Sequence, residues 1–195
     1  EPESFYKTIT DAGWATLCLP FTAETPEGVT AYAVTGVDDS VLEKEEIEDG
    51  VPASTGVLLK GDAGMVKFVK NDGLKLHVPE GNCLVGTTEG ATFEGDELGG
   101  TYCYILANDE SKGIGFYWQK GTGGTSAHCE PYKAVLELHF KGAPEAIGFR
   151  LDDATMVEAV KAMEENAVIY DLTGRRVTSV TRGIYIVNGK KVMVK

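Results

Sequence analysis

Residues 133–140 read KAVLELHF. Strict alternation puts Ala134, Leu136, Leu138 and Phe140 on one face and Glu137 and His139 on the other, the period-2 signature of a half-buried strand. The same pattern recurs upstream. TYCYILA at 101–107 sets Tyr102, Tyr104 and Leu106 against Cys103 and Ile105, and LKLHV at 74–78 sets Leu74, Leu76 and Val78 against Lys75 and His77. WATLCL (14–19), TAYAVTGV (30–37), STGVLL (54–59), MVKFV (65–69), CLVGT (83–87) and GIGFYWQ (113–119) fit the scheme. Turn formers separate the runs: PEG at 26–28 and 79–81, GDAG at 61–64, NDG at 71–73 and GTGG at 121–124. Strands this short, at this spacing and without helices between them, predict an all-β body over 1–150, a sandwich or barrel of antiparallel strands.

The pattern changes at 152–166, DDATMVEAVKAMEEN. Thr155 and Glu158 have capping-box spacing, and Met156, Val160 and Met163 follow at helical intervals. One short helix near 155–165 is expected, within a connector over 151–166. Residues 167–195, AVIYDLTGRRVTSVTRGIYIVNGKKVMVK, return to strands. DLTG reads as a turn, and Asn188-Gly189 is a strong two-residue hairpin signal because both central positions need positive φ. This makes a β-hairpin tail, too small for a core of its own and expected to pack on the body or on a partner.

Charge divides the chain at the same place. Residues 1–166 hold 12 Lys+Arg and 29 Asp+Glu, a balance of −17, whereas 167–195 hold 6 basic residues and one acid, Asp171, giving +5. The acidic body should repel nucleic acid and anionic lipid. No apolar run reaches the roughly 20 residues of a membrane helix, so no transmembrane span is expected. The chain opens on Glu1 rather than Met, so a trimmed product is expected, with any export signal already removed.

The sequence offers little for catalysis. His77 and His139 fall on polar strand faces, and His128 sits beside Cys129, whereas catalytic partners normally meet across a fold. GTGGTS at 121–126 lacks the Lys-Ser/Thr and the helix of a phosphate loop. Asp38–Asp39 and Asp109–Glu110 lie in turns, and among 30 acids such pairs arise by chance. No catalytic residue, metal site or cofactor is expected. Cys18, Cys83, Cys103 and Cys129 are widely spaced, which suits either two disulfides in an exported chain or small buried hydrophobes within strands. The best candidate ligand surface is aromatic: Trp118, Tyr117 and Gln119 beside the glycine loop, with Trp14 and Tyr132. Flat aromatic faces stack on sugar rings, but Phe116 and Trp118 share one face and Tyr117 has the other, so one face belongs to the core.

The tail resembles the C-terminal segment common in secreted and surface proteins of the Bacteroidetes, related to the sorting domain read by the type IX (Por) secretion system. The motif runs Tyr170, Asp171, Leu172, then Gly174, Arg175 and Arg176, and after a spacer Gly183, Tyr185, Asn188, Gly189 and Lys190. A full domain of that type is a longer immunoglobulin-like sandwich, and here a predicted helix stands where its upstream strands would be. The resemblance implies an exported protein at the cell surface, in the medium or in the periplasm, with the export machinery as a partner of the tail. Over about residues 5–140 the body resembles, strand by strand, a β module found before such tails in uncharacterised Bacteroidetes proteins, and that resemblance carries no activity. The expected function is a non-enzymatic β module for surface assembly or protein–protein contact, its partner a protein or glycan at the cell surface. The alternative is a carbohydrate-binding module, favoured by exposure of Trp118 or Trp14 and opposed by burial of both.

Overall fold

The computed structural model describes residues 3–38, 41–96, 98–109, 113–119, 126–139 and 148–151, and beyond them the strands at 169–171, 176–177, 183–187 and 190–194. The predicted helix near 155–165, Phe140 and the Asn188-Gly189 turn lie outside the described residues.

The chain divides into two units, Glu1–Leu151 and Asp152–Lys195. The first is all-β. Its strands are β1 (Ser4–Ile9), β2 (Trp14–Leu17), β3 (Ala23–Glu24), β4 (Val29–Asp38), β5 (Val41–Ile47), β6 (Gly50–Val51), β7 (Val57–Gly61), β8 (Gly64–Lys70), β9 (Leu84–Thr87), β10 (Ala91–Phe93), β11 (Thr101–Asp109), β12 (Gly113–Tyr117), β13 (Ala127–Cys129), β14 (Lys133–His139) and β15 (Gly148–Arg150). They build a nine-stranded sheet in the order β2-β7-β4-β5-β15-β12-β11-β14-β9, a four-stranded sheet β1-β8-β3-β6 and a ribbon β10-β13. Among the described strands pairing is antiparallel except where β15 meets β5 at the single pair Arg150↔Val41, and an isolated parallel bridge joins Leu19 to Ala53.

The large sheet rolls around a core to which each of its strands contributes, from Trp14, Val34, Leu42 and Leu58 through Leu84, Tyr104, Phe116 and Leu136 to Phe149. Its two ends meet. The backbone N–H of Ala134 donates to Thr16 Oγ1 at 3.2 Å, tying β14 to β2. A Cβ at Gly86 would stand 2.5 Å from Cys18 Cβ, and one at Gly56 would stand 2.7 Å from the Leu84 carbonyl oxygen, so both seam positions require glycine. A second link comes from a β-bulge between Val34 and Gly36. Asn82 Oδ1 accepts from the N–H groups of Val34 (3.1 Å) and Leu84 (3.2 Å), and its Nδ2 donates to the Gly56 carbonyl at 2.9 Å. The Val34 carbonyl takes the N–H of Cys83 at 2.7 Å, and the Cys83 carbonyl takes the N–H of Glu137 at 2.9 Å. Buried backbone polar groups freed by the bulge are thereby satisfied.

The four-stranded sheet lies on the outer face of β2, β7 and β4. Ile9, Phe68 and Val51 meet Ala15, Leu17, Ala31, Ala33, Val57 and Leu59 there. These three strands are therefore buried on both faces, which is why they read as near-continuous apolar runs. On the other side the ribbon covers β11 and β14, enclosing Cys103, Cys129, Ala127 and Val135. The alternation read for β11 is observed: Tyr102 and Tyr104 enter the rolled sheet, while Cys103 and Ile105 face the ribbon. One predicted strand is absent. Residues 74–78 pair with no neighbour, although the δ carbons of Leu74 and Leu76 would stand 3.1 and 2.9 Å from a Cβ on Gly50. The apolar face is used to cover the end of the small sheet, without a ladder.

The second unit is a sheet of β16 (Ile169–Asp171), β17 (Arg176–Val177), β18 (Gly183–Val187) and β19 (Lys190–Val194), in the order β17-β16-β18-β19. β18 pairs antiparallel with β19 from Gly183↔Val194 to Val187↔Lys190, the register that an Asn188-Gly189 hairpin requires. β16 joins the two predicted hairpins by pairing with both β17 and β18.

Candidate functional site

In β1, period-2 alternation puts Phe5, Lys7 and Ile9 on the inward face and Tyr6 and Thr8 outward. Ile9 belongs to the core and Phe5 packs against it, so Lys7 is a cation on an apolar face. Its ammonium reaches the Tyr132 carbonyl at 3.3 Å. Tyr132 holds a left-handed conformation (φ 58°), uncommon for a bulky residue, and its ring lies 4.6 Å from that of Phe5. Burial, and then the neighbouring Lys133, lower the Lys7 pKa to about 8, against smaller opposing effects of Cys129 and Glu130.

Lys7 borders an open cleft of about 430 Å3. β1 and the turn after it supply Lys7, Thr8, Thr10 and Asp11, and β2 supplies Trp14, Ala15 and Thr16. The tip of the β11–β12 hairpin adds Leu106, Asn108 and Ile114, and β14 begins with Lys133. The turn is closed by Gly13, at φ 76°, whose N–H donates to the Thr10 carbonyl at 2.8 Å. Thr10 Oγ1 donates to the Trp14 carbonyl at 3.3 Å, and Thr16 Oγ1, already an acceptor from Ala134, keeps its own proton to donate. Lys133 Nζ stands 2.5 Å from Glu130 Oε2 at the exposed rim. The cleft is thus lined by apolar, hydroxyl and amide groups together with two ammonium groups. Such a lining holds a ligand by burial, hydrogen bonding and charge.

The aromatic residues singled out from sequence do not assemble into one platform. Trp14 is 3% exposed, with Lys44 and Lys60 ammoniums 5.6 and 5.1 Å from its ring centroid, so its face is not open to a sugar ring. It nonetheless counts among the residues that line the cleft. Tyr117 is buried and its hydroxyl donates to the Gly113 carbonyl at 2.9 Å. Trp118 is half-buried and turned inward, its ring centroid 6.3 Å from those of both Tyr102 and Tyr104. Burial pushes the Tyr104 phenol up to about 12, with the Trp118 indole N–H acting in the opposite sense. Gln119 Oε1 accepts the N–H of His128 at 2.6 Å, tying β13 to the strand end. Tyr132 is tied to the cleft through Lys7, whose ammonium donates to its carbonyl. Sequence reasoning missed Lys7, Lys133, Thr16 and Asn108. The signal for Lys7 was a lysine between Phe5 and Ile9 in an alternating run.

His128 and His139 sit on strand faces within 3.2 and 3.1 Å of the Thr92 and Thr101 hydroxyls, and His77 is exposed. Among the described residues no three His, Cys, Asp or Glu side chains gather as a metal site would need. All four cysteines are free thiols. Burial raises each of them, Cys103 and Cys129 to about 11. Among the described residues no helix is long and apolar enough to cross a membrane. Comparison of the chain with protein-family models, with curated proteins and with solved structures found no match.

Proposed function

We propose that the chain is an exported β module that works by contact at the cell surface rather than by turnover, with residues 167–195 as its address. The observation that carries this reading is the tail's own sheet, which shares no strand with the sheets of the body among the described residues. A separate sheet of opposite charge suits a segment that another protein reads. The resemblance to a type IX sorting segment supports the same reading. Its motif positions meet across the ladder, Tyr170 opposite Arg176 and Asp171 opposite Tyr185. The test is secretion from a bacterium that carries the type IX machinery, comparing the full chain with one ending at residue 166. The full chain is expected at the surface or in the medium and the shortened chain in the periplasm. Equal distribution of the two would end the role of the tail as an address.

A second reading, glycan recognition, is favoured by the cleft. Hydroxyl donors together with apolar surface suit a sugar, and Lys7 adds charge. On this reading the body supplies the binding activity that the tail carries to the surface.

A further inference from the structure

We propose that the cleft beside β1 and β2 binds a small hydroxylated carboxylate, the chemistry of a sugar acid. Lys7 and Lys133 would take the carboxylate, and Thr10, Thr16 and Asn108 the hydroxyl groups. The proposal rests on the glycan reading above and specifies it.

The argument starts from the place of Lys7 in β1. The strand buries Phe5 and Ile9 on either side of it, so an apolar residue would cost nothing there, and a lysine costs the desolvation of a charge. Among the described residues its ammonium makes a single hydrogen bond, the 3.3 Å contact to the Tyr132 carbonyl, although it carries three donors. The unused donors border the cleft. Lys133, the other ammonium, is already compensated at the rim by Glu130. A ligand carboxylate therefore gains most from Lys7. The volume of about 430 Å3 is in the range of small-molecule sites and exceeds what a bare anion such as acetate needs. The remaining lining explains the excess: Leu106 and Ile114 offer apolar surface for one face of a ring, and hydroxyls and an amide line the same space. The formal charge of −17 over residues 1–166 opposes anions at long range, so capture depends on these local ammonium groups.

The cleft also sets a pH signature. The charged or titratable groups around Lys7 are Lys133 of β14, Glu130 and Cys129 beside it, and Asp11 in the turn after β1. With its pKa lowered to about 8, Lys7 is an ammonium at pH 7 and mostly an uncharged amine at pH 9. A bound carboxylate favours the ammonium, so above pH 8 binding must draw a proton from the buffer, and affinity must fall as pH rises.

The experiment is titration calorimetry of the full chain with glucuronate, galacturonate, glucose and acetate, at pH 7 and pH 9, the latter in two buffers of different ionisation enthalpy. Glucuronate or galacturonate is expected to bind at least about tenfold more tightly than glucose or acetate, a difference of about 1.4 kcal/mol. Proton uptake is expected at pH 9. Lys7→Met should lose about tenfold in affinity at pH 7. Lys7→Arg, which keeps its charge at any pH, should bind without proton uptake and serves as the folded control. Glucose binding as tightly as the sugar acids, with Lys7→Met unaffected, would overturn the carboxylate assignment and leave glycan recognition standing. Acetate matching glucuronate would overturn the sugar part. No binding of any member of the panel would overturn the proposal together with the glycan reading.

Discussion

Lys7 is where β1 departs from its own alternation, and the departure has a cost in stability with a definite pH dependence. Its pKa is lowered on folding, the opposite of the usual lysine that gains an acidic partner. The unfolded chain therefore binds more protons than the native one between about pH 8 and the ordinary lysine range, so this group makes the protein more stable as pH rises through that window. Below about pH 8 the destabilisation is fully present. Urea unfolding of Lys7→Met should accordingly show a gain in stability at pH 7 that shrinks toward pH 10. A gain that is constant with pH would show that the native lysine is not desolvated. The same residue marks the limit of the sequence reading. A lysine between Phe5 and Ile9 was visible, but without knowledge that β1 faces a core it is one of many surface lysines. The aromatic run at 116–118 was ambiguous for the converse reason. Its composition suited a sugar platform, alternation gave one of its faces to the core, and the structure packs Phe116 and Trp118 together inside the rolled sheet.

At the scale of the element, alternation was the most legible feature, because it follows from the pleat alone. It placed the faces of β11 and β14 correctly through their full described length. It failed where pairing is decided by partners far along the chain. Residues 74–78 alternate as well as any strand, yet they lie over Gly50 as an unpaired extended segment. β5, whose VLEKEEI is dominated by charge, was not read as a strand, and is held by its pairing with β4 from Val41 to Ile47. Closure of the large sheet was legible only as one of two alternatives, a sandwich or a barrel, since it depends on single residues brought together from distant segments. It can be tested through them. Asn82→Ala removes three hydrogen bonds and leaves the Val34 N–H and the Gly56 carbonyl without those partners, an expected loss of about 3 kcal/mol. Gly86→Ala forces a methyl into Cys18 and the Gly56 backbone, an expected loss of about 1–3 kcal/mol. Chemical denaturation measures both. Losses under about 0.5 kcal/mol at both positions, typical of surface substitutions, would mean that the sheet does not need the seam.

At the scale of the first unit, three apolar clusters among the described residues serve one rolled sheet, one inside it and two on its outer face. The four cysteine thiols differ in how deeply they are buried. Cys83 is half-buried, its Sγ donating to the Gly81 carbonyl at 3.2 Å, while Cys18, Cys103 and Cys129 are buried. Only the thiolate reacts, and burial raises the pKa of all four. The protein therefore carries its own record of how it comes apart. A colourless aromatic disulfide that releases a coloured thiol on reaction should consume Cys83 first and reach the other three only as the layers above them lift. The slow phases then time the opening of the ribbon and of the seam without any added label. Four equally fast reactions in the native state would contradict the layering. The arrangement also has a meaning outside the cuvette: in an oxidising compartment such a chain keeps Cys18, Cys103 and Cys129 reduced by concealment, and what betrays a damaged copy is the sudden capacity of those three to form disulfides with its neighbours.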